Sequence, residues 1–184
     1  MIKKIIVIFI FILFIKPTLA KEDTMILKLK DGNVIIELFS DAAPNHVKRF
    51  KQLSKEKKYD GVVFHRVIDG FMAQTGDVEY GNSNLPTYDI GRSGTGGSEY
   101  PDLKAEFSNI PHERGTLSMA RSSDPNSANS QFFICFKASP SLDRQYTVFG
   151  KVVQGMDFVD LIKRGEGSNG EVSDPDQIIS LSIK

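Results

Sequence analysis

What most constrains this chain is a succession of short apolar segments, rich in β-branched and aromatic residues and separated by glycine, proline and Asp-Gly punctuation. In Met25 to Lys30, Leu27 and Leu29 alternate with Lys28 and Lys30. Asp31-Gly32 supplies turn chemistry, and Val34 to Phe39 returns with Ile36 and Leu38 opposed to Glu37, the pattern of a hairpin. Val62 to Ile68 and Phe71 to Thr75 read as strands about an Asp69-Gly70 turn. Thr116 to Ala120, Gln131 to Phe136, Thr147 to Val153 and Ile178 to Ile183 continue the series. Two stretches carry helical spacing. In the first, Pro44 lies in the opening turn, and Val47, Phe50 and Leu53 share one face among Lys48, Arg49, Lys51 and Lys55; the second is Met156 to Arg164. Residues 76–98 are a glycine-rich loop. Many short strands with two helices predict a mainly β domain, a closed β-barrel capped by helices.

Residues 1–20 follow a different logic. Lys3 and Lys4 precede an unbroken apolar run from Ile5 to Ile15, Lys16-Pro17 breaks it, and Thr18-Leu19-Ala20 ends in a small residue. That is the layout of a secretory signal peptide cleaved near Ala20, leaving residues 21–184 as one exported domain. Eleven helical residues reach roughly 17 Å, short of a ~30 Å hydrocarbon core, so no stable membrane association is expected after cleavage. Removing three lysines from a chain with 23 basic and 23 acidic residues leaves a mature charge of −3. No nucleic-acid partner is expected from that balance. The lone cysteine, Cys135, excludes an intramolecular disulfide and lies in the apolar run Phe132 to Phe136, where a buried, inert thiol is expected.

The sequence carries none of the familiar catalytic devices. His46, His65 and His112 form no zincin motif, and His65, between Phe64 and Arg66, reads as a hydrogen-bonded structural residue. Gly94-Thr95-Gly96-Gly97 lacks the Lys-Ser/Thr of a phosphate loop, and there is no Gly-x-Ser-x-Gly elbow. Neither a metal nor a cofactor is expected.

Phe64-His65-Arg66-Val67-Ile68-Asp69-Gly70-Phe71-Met72-Ala73-Gln74 resembles the signature of the cyclophilins, which are peptidyl-prolyl cis-trans isomerases. Ser130 to Ile134, Gly94 to Gly97, Gly115 to Ala120 and Val148 to Val152 match the family in the same order, from about Met25 to the end of the chain. The resemblance implies an eight-stranded antiparallel barrel with two capping helices, and a monomer acting on proline-containing peptides and on unfolded or folding proteins. It also implies a periplasmic destination, as in bacterial members.

Prolyl isomerisation needs none of those devices. Rotation about an X-Pro bond faces a barrier of ~18–20 kcal/mol because the amide is conjugated, and it breaks no covalent bond. In the twisted state the proline nitrogen regains a lone pair and accepts a hydrogen bond only then, so a fixed donor aimed at it binds that state best. Arg66 matches the family's catalytic arginine, and its guanidinium is a permanent cation with five donors in a rigid fork. By the same resemblance Phe71, Met72, Phe133 and Leu142 form the proline pocket, and Ala120 and Arg121 meet the peptide upstream of proline. Gln74 and Gln131 either contact the substrate backbone or orient the arginine, or they simply tie strands together. Alternation sets Phe133 on the face opposite Phe132, with Phe132 and Phe136 assigned to the core.

The chain also departs from the pattern. Ser141 stands where many members carry tryptophan, and Tyr146 replaces a frequent histidine. Weak cyclosporin binding is expected at a rim without an indole, and less pH dependence near neutrality. The stretch Val78 to Ser93 is longer than in compact members and either extends the groove or is decoration. The alternative to an enzyme is a non-catalytic chaperone or proline-peptide binding module, which would have no need to keep Arg66.

Overall fold

The computed structural model describes residues 23–184; the proposed signal peptide therefore lies outside the described residues. In chain order the elements are β1 (Thr24–Lys28), β2 (Asn33–Leu38), α1 (Pro44–Lys55), β3 (Arg66–Ile68), β4 (Met72–Thr75), β5 (Thr116–Met119), β6 (Phe132–Cys135), a 3₁₀ turn (Pro140–Leu142), β7 (Val148–Gln154), α2 (Met156–Asp160) and β8 (Ser180–Ile183). The eight strands form one antiparallel, strongly curled sheet in the order β3-β4-β6-β5-β7-β2-β1-β8.

The expected closed barrel takes a particular form. Its outermost strands, β3 and β8, share no ladder; the segments leading into them meet instead. Gly61 N–H donates to the Ile178 carbonyl at 2.7 Å, Ile178 N–H to Val62 at 2.9 Å, and Phe64 N–H to Asp176 at 2.8 Å. This also explains why the strand expected over Val62 to Ile68 is regular only from Arg66. Val62 bridges Asn82, Val63 bridges Gln177, and the His65 carbonyl accepts from Val172, so the segment changes partner residue by residue.

The β1–β2 hairpin forms as its alternation predicts, with Leu27 opposite Val34 and Leu29 N–H closing the turn on the Gly32 carbonyl at 3.0 Å. Inside the sheet, Phe50 of α1 meets Tyr59, Phe132 and Phe149 with ring centroids 5.0–5.3 Å apart, two of the three contacts edge-on, as aromatic quadrupoles prefer. Val47, Phe50 and Leu53 are the buried face read from the sequence. The cap of α1 comes from elsewhere. Ala43 offers no side-chain oxygen, and Glu106 instead accepts the N–H groups of Asn45 and His46 at 3.1–3.2 Å, setting a carboxylate against the positive end of the helix.

The second helix is shorter than its spacing predicts, ending at Asp160 rather than Arg164. Tertiary partners claim the backbone that would extend it. Lys163 N–H donates to the Asp176 carboxylate at 2.8 Å and Gly165 N–H to the Val67 carbonyl at 2.9 Å. Arg164 is drawn to Asp69 and lies 4.0 Å over the Phe136 ring. Among the described residues no helix is long and apolar enough to cross a membrane.

Candidate active site

Register assembles the site before any loop is considered. Arg66 of β3 pairs with Gln74 of β4, Gln74 with Phe133 of β6, and Phe133 with Ser118 of β5, one row across four strands. The next row sets Ile68 beside Met72 and Met72 beside Cys135. Because side chains alternate along a strand, Arg66, Met72, Gln74, Gln131, Phe133 and Cys135 share one face while Phe132, Ile134 and Phe136 join the main core on the other. Met72, Phe133 and Cys135 thus form a second apolar cluster, against which Phe71, Ala120, Leu142 and Tyr146 pack. The Cys135 thiol is fully buried, and burial pushes it up to about 12, consistent with an inert sulfur.

Nine of the ten residues singled out from the sequence line one cavity of about 200 Å³: Arg66, Phe71, Met72, Gln74, Ala120, Arg121, Phe133, Leu142 and Tyr146. Gln131 lines an adjoining cavity that shares Gln74, Ala120 and Arg121 with the first. Phe133 and Met72 make the floor, 5% and 2% exposed. The 3₁₀ turn brings in Leu142, and Tyr146 stands edge-on to Phe133 with centroids 5.9 Å apart.

At the mouth, Arg66 is held wholly by neutral groups. Nε donates to the Asn169 carbonyl at 2.9 Å and Nη1 to Gln74 Oε1 at 3.2 Å, with Met72 Sδ 4.0 Å away. Gln74 Nε2 donates in turn to Gln131 Oε1 at 3.0 Å, and Gln131 Nε2 to the Gly96 carbonyl at 2.8 Å. A chain of side-chain hydrogen bonds thus runs from Arg66 through the two glutamines to Gly96. Among the described residues Nη2 has no protein acceptor, so that arm of the fork is open. Partial burial draws the guanidinium below its usual pKa, but an arginine starts high enough to stay charged.

Gly96 is itself anchored. The fully buried Asp77 carboxylate accepts the N–H groups of Glu79, Tyr80, Gly94 and Gly96 at 2.7–3.1 Å, which is the work done by the Gly94-Thr95-Gly96-Gly97 cluster. The loop from Val78 to Ser93 is pinned by Arg92 stacked 3.5 Å over Tyr80, and Ile90 and Ser93 border a third cavity that reaches Arg66.

Two features were not legible in the sequence. His112 is fully buried under Phe133, its ring nearly parallel at 16° with centroids 6.2 Å apart. Its Nδ1 lies 2.9 Å from Asp143 Oδ1 and its Nε2 3.0 Å from Ser118 Oγ, so it props the cavity floor and ties the 3₁₀ turn to β5. No local spacing could have paired residues 112 and 143. His65, by contrast, is not the hydrogen-bonded residue expected. It is 6% exposed, and among the described residues neither ring nitrogen has a partner at hydrogen-bond geometry. The Gly94 backbone closes over the ring so tightly that a Cβ there would sit 2.9 Å from His65 Cδ2 and Nε2. Among the described residues no three His, Cys, Asp or Glu side chains converge as metal ligands.

A family model described as cyclophilin type peptidyl-prolyl cis-trans isomerase/CLD matches residues 24–183. The chain is 61% identical over 164 residues to a probable peptidyl-prolyl cis-trans isomerase of Brucella suis, spanning 89% of this chain and 83% of that one. It is 41% identical over 152 residues to a peptidyl-prolyl cis-trans isomerase of Helicobacter pylori, spanning 80% and 85%. Among solved structures, a cyclophilin-type isomerase of Cryptosporidium parvum in the presence of the dipeptide Ala-Pro superposes with a TM-score of 0.74 at 28% identity, over 88% of this chain and 98% of that one. A cyclophilin from Hirschia baltica gives 0.74 at 26% identity, over 88% and 74%.

Proposed function

The chain belongs to the cyclophilin-type peptidyl-prolyl cis-trans isomerases, and we propose that it turns over X-Pro bonds by seating the proline ring on Phe133, Met72 and Leu142 while Arg66 donates to the ring nitrogen as the amide twists. The observation that carries this reading is the neutral setting of Arg66: a fixed guanidinium at the edge of a cavity floored by Phe133 and Met72, with one arm unspent and no carboxylate among its acceptors in the described residues. A planar amide nitrogen has no lone pair to offer such a donor, whereas a twisted one does, so the interaction favours the transition state over both isomers. Exclusion of water by the cavity walls strengthens that electrostatic preference. A protease-coupled X-Pro assay on wild type and Arg66→Ala tests the mechanism. Loss of most turnover in a folded variant supports it, and turnover that survives the substitution overturns it.

Two further elements belong to the same reading. Without an indole at position 141, where an exposed Ser141 precedes Leu142 in the 3₁₀ turn, cyclosporin is expected to inhibit weakly. Titrating it against the same assay checks this, and nanomolar inhibition would refute it. Export, with the periplasm as destination, rests on residues 1–20. N-terminal sequencing of the mature protein is expected to begin at Lys21, and a chain that retains Met1 would count against it.

A further inference from the structure

The cavity beyond Gln74 differs in chemistry from the one beneath Arg66. It measures about 170 Å³ and shares Gln74, Ala120 and Arg121 with its neighbour. At about 3.3–3.6 Å per residue, one or two residues of extended chain bridge adjoining cavities of this size. Its remaining wall includes Ser122, Ser127 and Asn129, and among the described residues that line it none is a carboxylate and Arg121 alone carries a formal charge.

That charge is fixed in place and left unneutralised. Arg121 Nε and Nη2 donate to the Gln145 carbonyl at 3.2 and 3.0 Å, and Nη1 donates to the carbonyls of Ser122 and Ser123 at 2.8 and 3.3 Å. The guanidinium lies 4.4 Å over the Tyr146 ring. All of these partners are neutral. Asp124, in the same loop, turns its carboxylate to the Asn126 N–H at 2.8 Å instead. Among the described residues one N–H of Nη2 has no protein acceptor. On another flank of Arg66 the sign reverses, where Glu166 and Glu171 line the third cavity. The groove is therefore polarised, cationic at Arg121 and acidic at the two glutamates.

We propose that Arg121 is a specificity-determining residue of the isomerase reaction, favouring client segments that carry a carboxylate side chain within two residues of the proline, on the arm running toward Arg121. This rests on the reading of the Arg66 cavity as the proline site. A partly exposed ion pair of this kind is expected to raise kcat/KM about fivefold.

The test is exchange NMR on single-proline peptides with Glu or Gln at each of the two positions before and after proline. In wild type, at one position, the Glu peptide is expected to exceed its Gln counterpart about fivefold, with the ratio shrinking in about 0.5 M salt. The ratio should be kept in Arg121→Lys, fall to one in Arg121→Gln and invert in Arg121→Glu. Each ratio is internal to one variant, so a general change in activity does not disturb it. Turnover of the Gln peptides with a ratio of one at every position in wild type, or a ratio that survives in Arg121→Gln, overturns the assignment while sparing the Arg66 site. Absence of turnover on every peptide overturns the Arg66 reading and this inference with it.

Discussion

Arg66→Ala is expected to lower kcat/KM for X-Pro isomerisation about a hundredfold, in a protein that remains folded. A hydrogen bond to a charged donor contributes roughly 1.5–3 kcal/mol, and removing one transition-state donor from a preorganised site costs on the order of 10²–10³ in rate. The loss should fall on kcat more than on KM, because the ring nitrogen accepts only in the twisted state. Arg66→Lys keeps a charge but loses the planar fork held by Gln74 and Asn169, so an intermediate rate is expected. The fold should tolerate both changes, since the side chain is only partly buried and ties no carboxylate. Urea unfolding run beside the assay separates loss of chemistry from loss of structure. Activity within threefold of wild type in a folded Arg66→Ala would remove the arginine from the mechanism. The arginine is not the whole of it: a 10⁵-fold acceleration requires about 7 kcal/mol, so the apolar floor of Phe133 and Met72 and the positioning it enforces must contribute the remainder.

Acid is expected to weaken the fold through His65 well before the carboxylates titrate. Burial holds this imidazole down at about 4, opposed by the nearby Asp77 charge, against about 6.5 in an unfolded chain. Above pH 6.5 the ring is neutral in both states and contributes no pH dependence. As pH falls from 6.5 toward 4 the unfolded chain takes up a proton that the folded chain refuses, and stability is lost across that window. Between pH 7 and 4.5 the loss from His65 is roughly 2 kcal/mol. His46, also lowered by burial although Glu106 pulls it upward, acts in the same direction. Carboxylates held low, such as Asp143 beside His112, act only as pH falls below their own unfolded values near 4. Urea unfolding of wild type and His65→Gln at the two pH values isolates the effect. The variant should lose about 2 kcal/mol less, whatever its stability at pH 7, and equal losses would show that His65 is protonated in the folded state after all.

How much of this was legible in the sequence differs from residue to residue. The opposition of Phe132 and Phe133 follows from strand period alone, and it separates the core from the cavity floor. The Arg66 to Gln74 stretch was assigned by family resemblance, and strand register accounts for its geometry, since a hairpin about Gly70 (φ 63°) must set residue 66 beside residue 74. For Gln74 and Gln131 the sequence leaves three roles open: contacting the substrate backbone, orienting the arginine, or tying strands together. The structure shows a hydrogen-bond chain through both from Arg66 to Gly96, which no local spacing specifies.

By itself, then, the chain determined what depends on near neighbours: the Asp31-Gly32 turn, the buried stripe of α1 behind Pro44, the alternation of β6, and the segments that become strands. Only the tertiary structure decided that Glu106 caps α1, that Asp176 and Val67 cut α2 short, that Asp143 and Ser118 hold His112 beneath Phe133, and that the His65 ring lies buried against Gly94. The physical reason is range. Propensity and periodicity act over a few residues, whereas the partner of a buried polar group is whichever residue the curled sheet delivers, here 6 to 98 positions away.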